Sequence, residues 1–180
     1  SRFGRAGMLD LLPRISHAWA QDRERVEASA GKITEAVRGI DSAVDDSDSP
    51  DRDWLRIAFT QLADRFDGDY GGFGGAPKFP APHNLLFLLR YWYRERDPVA
   101  LKMIVRTLHA MRMGGIFDQV GFGFHRYSTD AEWRLPHFEK MLYDQALLAS
   151  AYVEAYQATG DSFFARTADE VFEYVLRDLF

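Results

Sequence analysis

The chain of 180 residues carries 22 basic and 27 acidic side chains, for a net charge of −5, and is 47% hydrophobic and 14% aromatic. That length is enough to bury roughly 70% of the surface the unfolded chain exposes, hence one real core, and no basic stripe points to nucleic acid. With no cysteine, disulfide scaffolds, thiolate zinc sites and cysteine nucleophiles are excluded.

Ser1-Arg2-Phe3-Gly4-Arg5 has no apolar core behind it and no initiator methionine before it, so it does not read as a secretory signal. A chain that opens this way is expected to be cut from something longer, with a cytoplasmic address. No apolar run approaches the roughly 18 residues of a membrane span, so no membrane is expected as a partner.

From Met8 to Val37 a helical pattern runs through Leu9, Leu12, Ile15, Trp19, Val26 and Ile33, with Pro13 expected to kink it or to mark a helix start. The acidic, small-residue stretch Asp41–Pro50 reads as a linker between this leading arm and the main body, or else as a long surface loop. Ser49-Pro50 supplies a cap and a first-position proline for a helix to about Phe66. Pro82 opens a second to about Arg96, and Asp97-Pro98 a third that ends at Gly114-Gly115. A fourth is expected from near Pro136 to Gly160, and Asp161 caps a last one through Phe164, Ala168, Val171, Val175 and Leu179. Strand signal is confined to a short hairpin, Gly123–Tyr127 against Trp133–Leu135, so the fold class is all-α.

Connection lengths then place the loops. The two- and three-residue connections at Arg96 and Gly160 force antiparallel neighbours. With up-down alternation, the long connections 67–81 and 114–135 must share one end, where they lead onto helix N-termini that favour anions and polarised oxygens. Long loops gathered on a rigid scaffold are a usual seat of function.

The first loop is rich in glycine and aromatics, with Tyr70, Phe73, Lys78 and Phe79. It is not a phosphate loop, since no Gly-Lys-Ser/Thr follows and no strand precedes. Within or just after the second lie Asp118, His125, Arg126, Tyr127, Asp130, Trp133, His137, Glu139, Lys140 and Asp144. Aromatic faces beside charged hydrogen-bonding groups suit a sugar, whose C–H faces stack while its hydroxyls bond. Each residue also has a structural alternative. Glu139 in a first helical turn stabilises the dipole by ~0.3–1 kcal/mol without chemistry. Lys140 and Asp144 make a simple i,i+4 pair, His137 a cap, and the aromatics loop packing. His17, His83 and His109 read as ordinary helix residues. His125 and His137 lie twelve apart with no third partner at ligand spacing, so no metal is expected, nor any cofactor.

The stretches Gly71–Pro80 and Gly123-Phe-His-Arg-Tyr-Ser128, with Trp133 and Pro136-His-Phe-Glu-Lys-Met-Leu-Tyr-Asp144, closely resemble the thioredoxin-domain-containing family of spermatogenesis-associated protein 20 over nearly the whole chain. The resemblance implies a thioredoxin-like domain followed by a six-hairpin (α/α) toroid similar to N-acylglucosamine 2-epimerases and six-hairpin glycosidases. On that basis residues 1–40 are the closing helical segment of the thioredoxin-like part, 41–50 the linker, and 51–180 the first hairpins of an incomplete toroid. The redox motif is expected upstream of Ser1 and the later hairpins beyond Phe180. Phe122 stands where the family commonly has glycine, and Gln145 where asparagine is common. These two changes are expected to narrow the loop's approach to a ligand and to lengthen an amide that contacts it.

Two functions follow from the resemblance. In the first, the toroid is a carbohydrate epimerase, isomerase or hydrolase. His137 or His125 is then the general acid/base, since histidine ordinarily titrates near neutrality, or Asp118 and Glu139 are the paired carboxylates. Lys78, Arg126 and Asp144 hold hydroxyls while Phe73, Tyr127 and Trp133 complete the sugar site. In the second, the toroid binds a glycan or protein partner without chemistry and serves the redox domain. An open toroid edge would favour self-association.

Overall fold

A computed structural model describes residues 6–42 and 52–179. Residues 1–50 and 51–180 form two separate compact units.

In the first unit, α1 (Met8–Gln21) packs against α2 (Arg23–Ser42). The expected single pattern is broken at Asp22, whose backbone leaves the helical region (φ −142°, ψ 45°), and Pro13 lies inside α1 instead of opening it. No side chain of α1 is buried. The expected linker lies outside the described residues apart from its first two, which finish α2; the Ser49-Pro50 cap lies wholly outside them.

The second unit is all-α: helical hairpins with one two-stranded ribbon in a loop. Its helices are α3 (Arg52–Asp64), α4 (Pro82–Glu95), α5 (Pro98–Met113), α6 (Leu142–Thr159) and α7 (Ser162–Tyr174), the last continuing into a π-helical turn at Val175–Leu179. The cap signals act where they were read. Asp97 accepts from the Val99 amide (2.7 Å) and Asp161 from the Phe163 amide (2.9 Å), each satisfying one otherwise unpaired N–H. Gly160 closes α6 in the left-handed region.

The core is built from one stripe per helix. Leu85, Leu88 and Leu89 of α4 join Met103, Ile104, Leu108 and Met111 of α5, then Leu148, Ala151, Tyr152 and Ala155 of α6, and Phe164, Ala168 and Val171 of α7. Helix α6 touches α4, α5 and α7. Buried Tyr152 satisfies its hydroxyl on the Leu108 carbonyl (2.7 Å).

Two expectations at the second loop are corrected. The hairpin pairs β1 (Tyr127–Ser128) with β2 (Pro136–His137), so the second strand lies just beyond the expected Trp133–Leu135. As a result Pro136 is a strand residue, and α6 begins six residues later, at Leu142. A proline without an N–H suits the first position of a helix and the edge of a ribbon equally, and the pairing with Ser128 decides between them. Glu139 therefore is not in a first helical turn, and His137 is not a cap.

Candidate functional site

The two long loops do share one end, because they are bonded to each other. The amides of Lys78 and Ser128 each donate to the other's carbonyl (both 2.8 Å), and the Trp133 indole N–H donates to the Tyr70 carbonyl (2.9 Å). The second loop also hangs on α6. Gln145, wholly buried, accepts from the Phe124 amide (2.8 Å) and donates to its carbonyl (2.7 Å). Its amide is spent on the backbone rather than on a ligand, contrary to expectation. Phe122 holds a positive φ of 63°, a left-handed conformation uncommon for residues other than glycine.

Part of the predicted site is an internal scaffold. Trp133 is only 1% exposed, and Lys78 lies over its ring, 5.3 Å from the centroid. The Lys78 ammonium is equally buried and donates to Asp67 (2.5 Å) and to the Gly71 carbonyl (3.0 Å). Burial pushes the Asp67 carboxyl up, but Lys78 and the Tyr70 and Asp69 amides outweigh it and leave its pKa below the ordinary value. A side chain at Gly72 would meet the Trp133 ring at 2.6 Å. Phe73 is half-buried and packs on Phe66, 6.0 Å between centroids.

Asp118 belongs to the same scaffold. It accepts from Lys140 (2.7 Å) and from the amides of Val120 (3.0 Å) and Gly121 (2.8 Å), and these bonds hold it far below the usual carboxylate range. Lys140 thus pairs with Asp118 and not with Asp144. It also donates to the Phe122 carbonyl (2.7 Å) and lies over the Tyr174 ring. Asp130 is likewise committed, accepting from the Glu132, Arg134 and Leu135 amides and the Ser128 hydroxyl.

The remaining predicted residues form a second, more open group. Tyr127 stacks on His137 and packs at a tilt against Phe79, each 4.9 Å away between ring centroids. His137 Nδ1 lies 3.5 Å from Glu139, whose carboxylate accepts from Arg126 (3.0 Å). Arg126 also feels the Tyr143 hydroxyl, and its charge acts on Asp144. Asp144, 8% exposed in the first turn of α6, has no hydrogen-bond partner for its carboxyl among the described residues. Burial raises its pKa, and Arg126 only partly offsets this. His125 is 9% exposed, with its ring edge-on to Phe138 at 5.1 Å, and burial lowers its pKa, helped by Lys140 and opposed by Asp118.

Phe138 and Tyr143 were not singled out as site residues. Their position inside the Pro136–Asp144 motif was the available signal, and both rings are exposed. Among the described residues no group of three acidic or histidine side chains could hold a metal ion, and no helix is long and apolar enough to cross a membrane.

The chain is 43% identical over 97% of its length to human (Homo sapiens) spermatogenesis-associated protein 20. It is homologous to a segment of that protein. It spans 23% of the relative's length, and no family model matches it. Among solved structures, a sugar epimerase from a ruminal bacterium superposes with a TM-score of 0.61 at 18% identity, covering 70% of this chain and 36% of that one. Cellobiose 2-epimerase from Bacillus thermoamylovorans gives 0.58 at 17%, covering 69% and 36%. At such identities the likeness establishes the fold: the hairpins form part of an (α/α) toroid.

Proposed function

We propose that the loop end of the hairpins binds a carbohydrate and supports epimerase- or isomerase-type proton transfer on it. One observation carries this reading: near the N-terminal end of α6, His125 Nδ1 is sealed without a hydrogen bond and the Asp144 carboxyl, 8% exposed, accepts none among the described residues, while the residues beside them are tied up. A titratable group whose pKa burial shifts and which no structural partner holds is a candidate for chemistry. The continuous surface Phe79–Tyr127–His137–Glu139–Arg126 supplies what a sugar needs, ring faces for its C–H groups and paired charges for its hydroxyls. The sugar epimerases of the same fold support that choice of ligand class. Lys78, Trp133 and Asp118 would act by holding the two loops in place.

A hydrolase would need two free carboxylates. Asp118 is held by Lys140 and two amides, and Glu139 by Arg126, which favours proton transfer over hydrolysis. The same locking supports a second reading. In it the loop end binds a glycan or a protein partner without turnover, serving a thioredoxin-like domain whose closing helices would be residues 1–40.

Thermal unfolding against cellobiose, N-acetylglucosamine, other mono- and disaccharides and sugar phosphates tests the proposal. A ligand at 100 times its Kd adds about 2.7 kcal/mol of stability. A shift with one sugar class, abolished by Asp144→Asn, is expected. A cooperative transition moved by none of them would leave the reading without a ligand.

A further inference from the structure

His125 carries a side-chain nitrogen that packing seals without a partner: Nδ1 has no hydrogen bond and virtually no contact with solvent. Nε2 makes no described hydrogen bond either, yet it is not sealed in this way. The two nitrogens of one ring therefore face different surroundings.

That asymmetry decides where the proton goes. A neutral imidazole has one N–H and one lone pair. On the backbone an orphaned buried N–H is rarer than an under-satisfied carbonyl, and the same preference for an unmet acceptor over an unmet donor is carried here to the imidazole. Placing the proton on Nδ1 would bury an orphan donor. Placing it on Nε2 leaves only a lone pair unmet and gives the accessible nitrogen the hydrogen.

We infer that His125 is held as the tautomer protonated on Nε2 and serves the site as a hydrogen-bond donor to a ligand oxygen, not as a proton-accepting base. The donor role rests on the carbohydrate reading above; the tautomer does not.

The surroundings hold the ring in this state. Its backbone amide donates to the Ile116 carbonyl (2.8 Å), and the preceding residue is clamped on both backbone groups by Gln145. The charged groups acting on it are Lys140, which disfavours a second proton, and Asp118, which favours one but is itself neutralised by Lys140. Burial opposes the charged form as well. A neutral imidazole offering N–H can polarise a sugar carbonyl or stabilise charge on its oxygen, as donors placed where charge develops do. The proton-accepting role then falls to another group, for which Asp144, a carboxylate with a raised pKa and no described hydrogen bond, is the candidate.

The test uses the chain labelled with 15N-histidine and long-range 1H–15N correlation spectra. Its five histidines are resolved by comparison with His125→Gln. The expected spectrum, recorded near pH 8 where an ordinary histidine is neutral, shows a pyridine-type Nδ1 and a pyrrole-type Nε2 for His125. A pyrrole-type Nδ1 would overturn the tautomer. Binding to the saccharide panel then tests the role, with folding checked by circular dichroism. His125→Leu is expected to weaken binding about tenfold, the equivalent of 1.4 kcal/mol, and His125→Gln, which keeps an amide donor, to recover most of it. Wild-type affinity in His125→Leu would overturn the donor role. If the unaltered chain binds no saccharide, the donor role falls with the carbohydrate reading, while the spectra still decide the tautomer.

Discussion

Lys78 and Asp144 are both almost wholly buried charge-bearing groups at the same end of the molecule, yet they are treated in opposite ways. Lys78 has a carboxylate, a carbonyl and an indole face arranged around its ammonium. Asp144 has no described hydrogen bond to its carboxyl and only the charge of Arg126 acting on it. A buried charge that is fully paired specifies structure, whereas one left short of partners costs stability. The loop end therefore has a satisfied layer that holds the two loops together and an unsatisfied layer that the first one positions.

The largest effects are expected from breaking the satisfied layer. Trp133→Ala removes a ring packed against Gly72 and Lys78 and should cost about 3–5 kcal/mol, read as a fall in the urea midpoint. Next is the Lys140–Asp118 clamp. Lys140→Met should cost about 1.5–3 kcal/mol, the range for hydrogen bonds to charged groups. The clamp also sets an acid dependence. Asp118 has a folded pKa below its unfolded value, so its contribution is complete above about pH 4 and is lost as pH falls toward the folded value. In Asp118→Asn this part of the acid destabilisation should disappear from a pH series of melting temperatures.

Asp144→Asn should act with the opposite sign. The folded pKa of Asp144 is raised, so its ionised form weakens the fold at neutral pH, and the penalty fades as pH falls and the carboxyl protonates in both states. The variant should melt slightly higher than the unaltered chain at pH 7, converge with it as pH falls below about 4, and lose sugar binding. A clear fall in melting temperature at pH 7 would put Asp144 in the scaffold and erase the contrast. Tyr127→Ala should cost about 0.5–1.5 kcal/mol for its aromatic pairings, in addition to the lost area, with a proportionally larger loss of saccharide affinity.

Much of this was legible in residue patterns because the signals are local. Asp97, Asp161 and Gly160 act within a few residues of themselves, and the short and long connections alone required that both glycine-rich loops share one end. Misread elements had signals that were local but ambiguous. Pro136 opens a helix as readily as it edges a ribbon, and its pairing with Ser128 moved the start of α6 to Leu142. In the leading arm, the heptad-like apolar residues predicted a helix correctly but not its break at Asp22, where no glycine or proline marks the turn.

The sequence by itself determined the all-α class, the order of the hairpins and the end at which polar and aromatic residues collect, since each depends on capping, periodicity and connection length. Only the tertiary structure decided which of those polar residues are already spent. Lys78 finds Asp67 across 11 residues, Lys140 finds Asp118 across 22, and Trp133 finds Tyr70 across 63. Whether a buried group is satisfied depends on atoms the fold brings together, and no spacing along the chain encodes that.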